Sequence, residues 1–212
     1  MNTTIKINRT VLLALQNFAS TDEARYVING VCIEVSKSGK VMAIATDGKR
    51  LGVFNEGDAI EKPEKLSRFV VPLNIAMLKA LPRSRSGIPS NVHIAFAGNR
   101  ATFSPDGDTK DASFSVELID GNYPNWRQVV PAGELSGPVD PCFNYRLLES
   151  FYKAALTVHK DASSGITIRG DGKGGPLLIL SHALPTFFGV LMTMRYDTQA
   201  KAPDWATATP EE

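Results

Sequence analysis

The sequence has little that would support catalysis, secretion or membrane insertion. Its 212 residues include two cysteines and three histidines, and these show no CxxC or Cys/His spacing typical of a metal site. No apolar stretch approaches the ~20 residues that a membrane-spanning helix needs. The N-terminal MNTTIKINRT lacks the charged start and apolar run of a secretion signal. These absences predict a cytoplasmic protein with no metal, no cofactor and no membrane partner.

Charge of one sign is also lacking, because the formal net charge is +1. The overall net charge therefore favours binding neither to nucleic acid nor to a membrane surface. Any contact with DNA phosphates must therefore come from local clusters of Lys and Arg. The hydrophobic fraction of 43% is enough to build a sizeable core, which predicts a globular fold.

Three patterns that resemble ligand or catalytic sites fail on context or spacing. Gly170, Gly172 and Gly175 fit GxGxxG, but they join two predicted strands, which favours a hairpin loop over a nucleotide site. Segment 106–117 matches part of a calcium loop, but Asp111 stands where the sharp turn needs glycine. The histidines lie near no Ser or Cys nucleophile pattern. The sequence proposes no catalytic residue, and an unrecognised hydrolase or nuclease stays only as a remote alternative.

The hydrophobic pattern predicts one unit, a helix followed by strands, that occurs three times. Helical spacing of apolar residues begins after Asn8, at Pro72 and after Asn144, and each of these residues suits a helix start. The predicted strands cover 26–35, 41–47, 50–54, 68–71, 91–96, 100–104, 112–118, 166–169, 177–181 and 187–194. Three such units predict an α+β fold with helices on one face of antiparallel sheets.

Proline and glycine are concentrated in segment 120–141, which is the better candidate for a domain boundary. The predicted domains are therefore 1–131 and 132–196. Residues 197–212 show no periodicity and are predicted to be a loose tail.

Three segments are specific for a protein family when they are taken together, although none of them is specific alone. They are ATDGKRL at 45–51, LIDGNYPNWRQVVP at 118–131 and VLMTMRY at 190–196. Each alone is explained by ordinary structure: a hairpin turn, a stiff linker and a last strand with core methionines. Their order, contents and separation resemble the bacterial replicative sliding clamp, the beta subunit of DNA polymerase III. Segment 25–35, RYVINGVCIEV, also looks like the family's strand before the first motif.

The resemblance to the sliding-clamp family runs from Ile5 to Tyr196 but covers only one and a half of the family's three domains. Residues 1–131 look like its whole middle domain, and residues from about 140 to 196 look like the second half of its last domain. The chain departs from the family's pattern at Lys49, Asn125, Trp126, Gln128, Thr193 and Tyr196. The implied fold is the DNA-clamp fold of repeated helix-plus-antiparallel-strand units.

The resemblance implies a groove between two domains that captures short, extended peptides from polymerases, clamp loaders and repair proteins. Residue chemistry suits this role, because methionine adapts to varied apolar anchors and arginine can hold carboxylates or carbonyls. By matching position, the expected groove residues are Ile28, Thr46, Gly48, Arg50, Leu51, Pro124, Val129, Asn144, Leu147, Met192, Met194 and Arg195.

Basic residues on the predicted helices form a second candidate surface. A spacing of seven places Arg146, Lys153 and Lys160 near one stripe of the third helix. The alternative is a solvated helix face with favourable cations at helix C-termini. In sliding clamps the helices line a central hole, where basic side chains meet DNA phosphates without reading bases. The resemblance therefore implies contact with double-stranded DNA through Arg9, Lys79, Arg83, Arg85, Arg146, Lys153 and Lys160.

These features predict a non-enzymatic accessory protein of DNA replication or repair, a processivity factor. It would associate with DNA and dock DNA polymerase and clamp-loader-like proteins through linear peptide motifs. The alternative is a decoy or adaptor that binds replication proteins without encircling DNA. A homo-oligomer is also predicted, because the third unit has no partner unit in the chain. Its helix presents Leu147, Leu148, Phe151, Ala154, Ala155 and Val158, which its own strands would cover only in part.

Overall fold

The protein's structure is a computed structural model that describes residues 3–82, 91–106, 112–130, 142–159, 165–171 and 174–194. The first unit consists of β1 (Thr3–Asn8), α1 (Arg9–Leu15), β2 (Val31–Val35), β3 (Lys40–Thr46) and β4 (Arg50–Asp58). The second consists of β5 (Ser67–Val71), α2 (Ile75–Ala80), β6 (Asn91–Ala97), β7 (Arg100–Pro105) and β8 (Phe114–Glu117). The third consists of α3 (Tyr145–Val158), β9 (Ile166–Arg169), β10 (Leu177–Ser181) and β11 (Phe187–Leu191).

The strands form two antiparallel sheets, ordered β1-β6-β7-β8 and β5-β2-β3-β4-β11-β10-β9. The first two units exchange strands, because β1 pairs with β6 of the second unit and β5 pairs with β2 of the first. Each of these units therefore covers a sheet edge of the other. The predicted α+β class with antiparallel sheets is confirmed.

Asparagine caps position all three helices. The Oδ1 atoms of Asn8 and Asn144 accept hydrogen bonds of 2.9 Å from Thr10 N and Arg146 N, which confirms both predicted helix starts. For the second helix the predicted start at Pro72 is wrong. That helix begins at Ile75, because the side chain of Asn74 supplies the cap by accepting from Met77 N at 3.1 Å.

Two sequence predictions missed local structure in the first unit. Strand β1 was not predicted, although Ile5 and Ile7 alternate with polar residues and point into the core. The strand predicted from residue 26 is wrong at its start, because Glu23–Ile28 forms a 3-10 helix. Asp22 caps this turn by accepting a hydrogen bond of 3.0 Å from Ala24 N.

The third unit docks on the first through the β4–β11 pair, in which Gly189 lies opposite Gly52. A Cβ atom on Gly52 would lie 2.8 Å from the Phe18 ring, and one on Gly189 would overlap the Phe151 ring. The two rings meet edge to face with centroids 5.1 Å apart. The glycine pair therefore leaves room for the aromatic side chains that pack over the β4–β11 pair, the seam between the first and third units.

The expectation that the apolar face of α3 needs another chain to cover it is wrong. Helix α3 packs against α1, and Phe151, Ala154 and Ala155 are buried in the main core. The half-buried side chains of Leu147, Leu148 and Val158 pack against the same core. The first unit supplies the cover, because its sheet continues into the third unit at the seam.

The predicted domain bounds stay predictions, because residues 131–141 and 195–212 lie outside the described residues. In the described part of the chain, no helix is both long and apolar enough to cross a membrane. The same residues contain no cluster of three or more His, Cys, Asp or Glu side chains that could hold a metal ion.

Candidate functional site

An apolar cavity of about 140 Å³ lies beside the seam, where the β3–β4 turn, the end of β11 and segment 124–129 meet. Its lining residues come from segments far apart in the sequence. They are Ile28, Thr46, Gly48, Arg50, Leu51, Pro124, Asn125, Trp126, Val129, Val190 and Met192.

Eight of the twelve expected groove residues line this cavity, namely Ile28, Thr46, Gly48, Arg50, Leu51, Pro124, Val129 and Met192. Asn144 and Leu147 are not among the lining residues, since Asn144 caps α3 and Leu147 packs against the core. Met194 lies beyond β11, where its N–H donates to Cys142 O at 2.7 Å, and its side chain is exposed. Arg195 lies outside the described residues.

Two apolar lining residues, Trp126 and Val190, were missing from the sequence prediction. Each of the two could have been predicted from its neighbours in the sequence. Trp126 lies between Pro124 and Val129 in the same connecting segment. Val190 stands two residues before Met192, and alternation along an extended chain points such residues to one face.

The β3–β4 turn is held in one conformation by its own side chains. Asp47 Oδ1 accepts from Lys49 N at 2.9 Å and from Arg50 N at 3.0 Å. The Thr46 hydroxyl donates to Arg50 O at 2.7 Å and accepts from Gly48 N at 3.1 Å. Gly48 has a φ of +84°, which favours glycine. The turn therefore presents a preformed wall to the cavity.

A buried carboxylate anchors the segment that brings Trp126 to the cavity. The Glu34 side chain, 3% exposed, accepts hydrogen bonds from Arg127 at 2.5 and 3.1 Å and from Arg68 at 2.8 Å. The Arg127 guanidinium also lies 4.2 Å from the centroid of the Trp126 ring. These contacts tie the 3-10 helix Trp126–Val129 to β2, so Glu34 is a positioning residue for the cavity.

Two opposing effects set the pKa of Glu34. Burial raises the pKa of this carboxyl, but hydrogen bonds and charges from Arg127 and Arg68 outweigh burial and hold the pKa below its ordinary value. A carboxyl with a lowered folded pKa contributes stability above its unfolded pKa. That contribution is lost as the pH falls through the folded pKa.

Glu34→Gln is therefore expected to lower the free energy of unfolding at pH 7 by about 1–3 kcal/mol, since charge-assisted hydrogen bonds are lost. The variant should also lose less stability than the wild type as the pH falls below about 4.5. Urea denaturation at pH 7, 5 and 4 measures both effects. The exposed Glu64→Gln is the matched control, and equal pH dependence of Glu34→Gln and the wild type would contradict this role.

One expected DNA-contacting residue is structural instead. The Arg9 side chain is buried, with 6% exposure, and its guanidinium donates to Leu81 O at 2.8 Å and Leu78 O at 3.4 Å. These carbonyls lie at the C-terminal end of α2, where orphan acceptors favour a cation. The expectation that Arg9 contacts DNA is wrong.

The other basic residues differ in their surroundings. Lys79, Arg146 and Lys153 are exposed on α2 and α3. The Lys153 ammonium lies 3.0 Å from the Glu149 carboxylate, an exposed pair worth little to stability. Arg83, Arg85 and Lys160 lie outside the described residues. DNA contact through these residues stays a prediction.

Two helix-and-strand units exchange strands, and a third unit continues one of their sheets across the glycine pair. This arrangement defines a clamp-type fold. The family model of the DNA polymerase III beta subunit, central domain, matches residues 6–125, more than half of the chain. The chain belongs to this family.

Similar proteins include the beta sliding clamps of Pseudomonas putida and Treponema pallidum. The first is 30% identical over 127 residues, covering 58% of this chain and 31% of that protein. The second is 30% identical over 131 residues, covering 59% and 30%. The chain thus spans about a third of the length of these curated relatives.

Solved structures show the same fold over more of the chain. The DNA polymerase III subunit beta from Pseudomonas aeruginosa has a TM-score of 0.64 at 17% identity, covering 91% of this chain and 66% of that one. The Helicobacter pylori beta clamp, solved bound to a DNA ligase peptide, has a TM-score of 0.61 at 12% identity, covering 91% and 65%. These likenesses confirm the sliding-clamp fold of the chain.

Proposed function

We propose that the chain is a sliding-clamp-like accessory protein that docks partner proteins by binding their peptide segments in the apolar cavity. The observation that carries this proposal is the convergence of eight expected groove residues on one cavity. The Helicobacter pylori clamp, with a similar fold, was solved with a DNA ligase peptide. This supports a peptide ligand for the present chain.

The lining indicates the chemistry of the peptide. Trp126, Val190 and Met192 offer an apolar surface that suits Leu or Phe side chains, and a thioether adapts to either. Thr46 and Arg50 add polar groups to the same lining, where they can hold the backbone or a Gln side chain of the ligand. A partner held in this way needs no catalysis by the clamp, since docking raises its local concentration.

Binding of a short peptide with a Gln head and a Leu-Phe tail tests the proposal. We expect micromolar affinity, and Met192→Ala should raise Kd about fivefold, because truncating an apolar anchor costs about 1 kcal/mol. Met77→Ala is the matched control, since Met77 is 44% exposed and Met192 37%, and Met77 lies outside this cavity. Fluorescence anisotropy measures both, and equal affinities would contradict binding in the cavity.

We also propose that exposed basic residues on α2 and α3 contact double-stranded DNA without reading its sequence. Lys79 and Arg146 are the strongest candidates among the described residues, because both are exposed and neither has an ion pair among the described contacts. Attraction to phosphates through such residues would keep docked partners next to DNA. Peptide binding without DNA association would instead favour the adaptor role.

A further inference from the structure

Residues 192–194 follow β11 and are fixed by hydrogen bonds to three separate segments. Met192 N donates to the β3–β4 turn at 3.1 Å, and Met194 N donates to the segment before α3 at 2.7 Å. The hydroxyl of Thr193 donates to Gly174 O, in the β9–β10 loop, at 2.6 Å. Of these three bonds, the bond from Thr193 is the one that depends on a side chain.

The β9–β10 loop lies where backbone pairing with β11 stops. Strand β10 pairs with β11 only from Leu177, which lies opposite Leu191. The residue before Leu177 is Pro176, which has no N–H group to donate to a longer ladder. Gly174 has a φ of +76°, a backbone conformation that favours glycine. The Thr193 hydroxyl therefore links the loop to the end of β11 beyond the last backbone pair.

Thr193 lies between two methionines that are exposed beside the peptide cavity. Met192 lines the cavity, and Met192 and Met194 are 37% and 44% exposed. A fixed backbone at such side chains reduces the conformational entropy that is lost when a ligand binds. Thr193 is also one of the positions at which the chain departs from the family's pattern. The bond to Gly174 is thus a feature of this chain.

We propose that Thr193 is a positioning residue for the peptide site: its hydroxyl joins the β9–β10 loop to residues 192–194 and holds Met192 in place before a peptide binds. This inference rests on the proposed peptide function. It gives the β9–β10 loop, whose GxGxxG spacing fits no nucleotide site, a role in peptide affinity. Gly174 is not among the lining residues of the cavity, so the loop acts on the peptide through Thr193.

Fluorescence anisotropy with the Gln-headed, Leu-Phe-tailed peptide tests the bond directly. Thr193→Val removes the hydroxyl but keeps the branched shape, and it should raise Kd about fivefold, because the methionines are then less ordered before binding. Thr193→Ser keeps the hydroxyl and should bind within about twofold of the wild type. Thr157→Val is the matched control, since the exposed Thr157 hydroxyl donates to Lys153 O on α3 at 2.7 Å. It should leave Kd unchanged.

A double-variant cycle tests whether the loop and Thr193 act together. Gly174→Ala places a side chain at a φ of +76°, so it should displace the carbonyl that accepts from Thr193. It should raise Kd about as much as Thr193→Val, and the double variant should raise Kd no further, because both changes remove the same bond. Gly57→Ala on β4 is the control, since Gly57 has a φ of +86° and, like Gly174, open space at its Cβ position. It should leave Kd unchanged.

Urea denaturation separates positioning from folding. The stability of Thr193→Val should stay close to that of the wild type, because the bond is exposed to solvent. A large loss of stability would make Thr193 a structural residue and overturn the inference. Wild-type affinity in Thr193→Val, equal losses in Thr193→Val and Thr193→Ser, or losses that multiply in the double variant would also overturn it, while the proposed function stands. A wild type that binds no peptide would overturn the proposed function and this inference with it.

Discussion

Gly189→Ala is expected to lower the free energy of unfolding by about 3 kcal/mol, because its new methyl group would overlap the Phe151 ring at the β4–β11 seam. The ring is fully buried and packs edge to face on Phe18, so it has little freedom to move. The strand must therefore shift or the third unit must separate. Either response also displaces Val190 and Met192, so peptide affinity should fall with stability.

Urea denaturation and anisotropy measure these two effects. Gly165→Ala is the matched control, because a methyl group at Gly165 meets nothing within 4 Å. Adding Phe151→Leu to Gly189→Ala should restore part of the lost stability by removing the ring that the methyl group overlaps. Equal stability of Gly189→Ala and Gly165→Ala would show that the seam does not depend on the glycine pair.

Lys79→Glu combined with Arg146→Glu is expected to weaken binding to duplex DNA more than tenfold at about 50 mM salt, whatever the sequence of the duplex. Each residue that stops neutralising a phosphate reduces the slope of log K against log salt by about one. The double variant should therefore show a slope smaller by about two. Both charge reversals lie outside the cavity, so peptide affinity should be unchanged.

Filter binding or anisotropy between about 50 and 200 mM salt, on two duplexes of unrelated sequence, measures the slope. Lys37→Glu combined with Lys65→Glu gives the same change in net charge on exposed loop positions and is the control. If both double variants lose affinity equally, net charge rather than the helix face is responsible. If neither loses affinity, DNA does not contact these residues.

The parts of the fold that depend on local sequence were predictable. Helix α3 begins where it was predicted to begin, because Asn144 is a strong cap, and strands β9 and β10 have the predicted bounds. Segment 23–28 was not predictable in this way, since its tyrosine, valine and isoleucine favour a strand. Its 3-10 turn is set instead by the Asp22 cap and by the bond from Arg25 Nη1 to Asp47 O at 3.0 Å.

The contacts between distant segments were less predictable. Periodicity shows that α3 has an apolar face, but the partner of that face depends on the pairing of β4 with β11. The same holds for Arg9, whose charge suggested DNA contact and whose partners are carbonyls about seventy residues away. Cavity residues from the three motif segments were expected together only through the family resemblance, because composition and periodicity do not bring them together.

The central claim is that a linear peptide binds in the cavity beside the seam, and methyl NMR of the labelled chain tests it most directly. Titration with the Gln-headed, Leu-Phe-tailed peptide should shift the methyl signals of Ile28, Leu51, Val129, Val190 and Met192. The exposed methyl groups of Ile60, Leu66 and Met77 lie outside the cavity and should stay in place. Shifts confined to the second group, or no shifts at saturating peptide, would contradict the account.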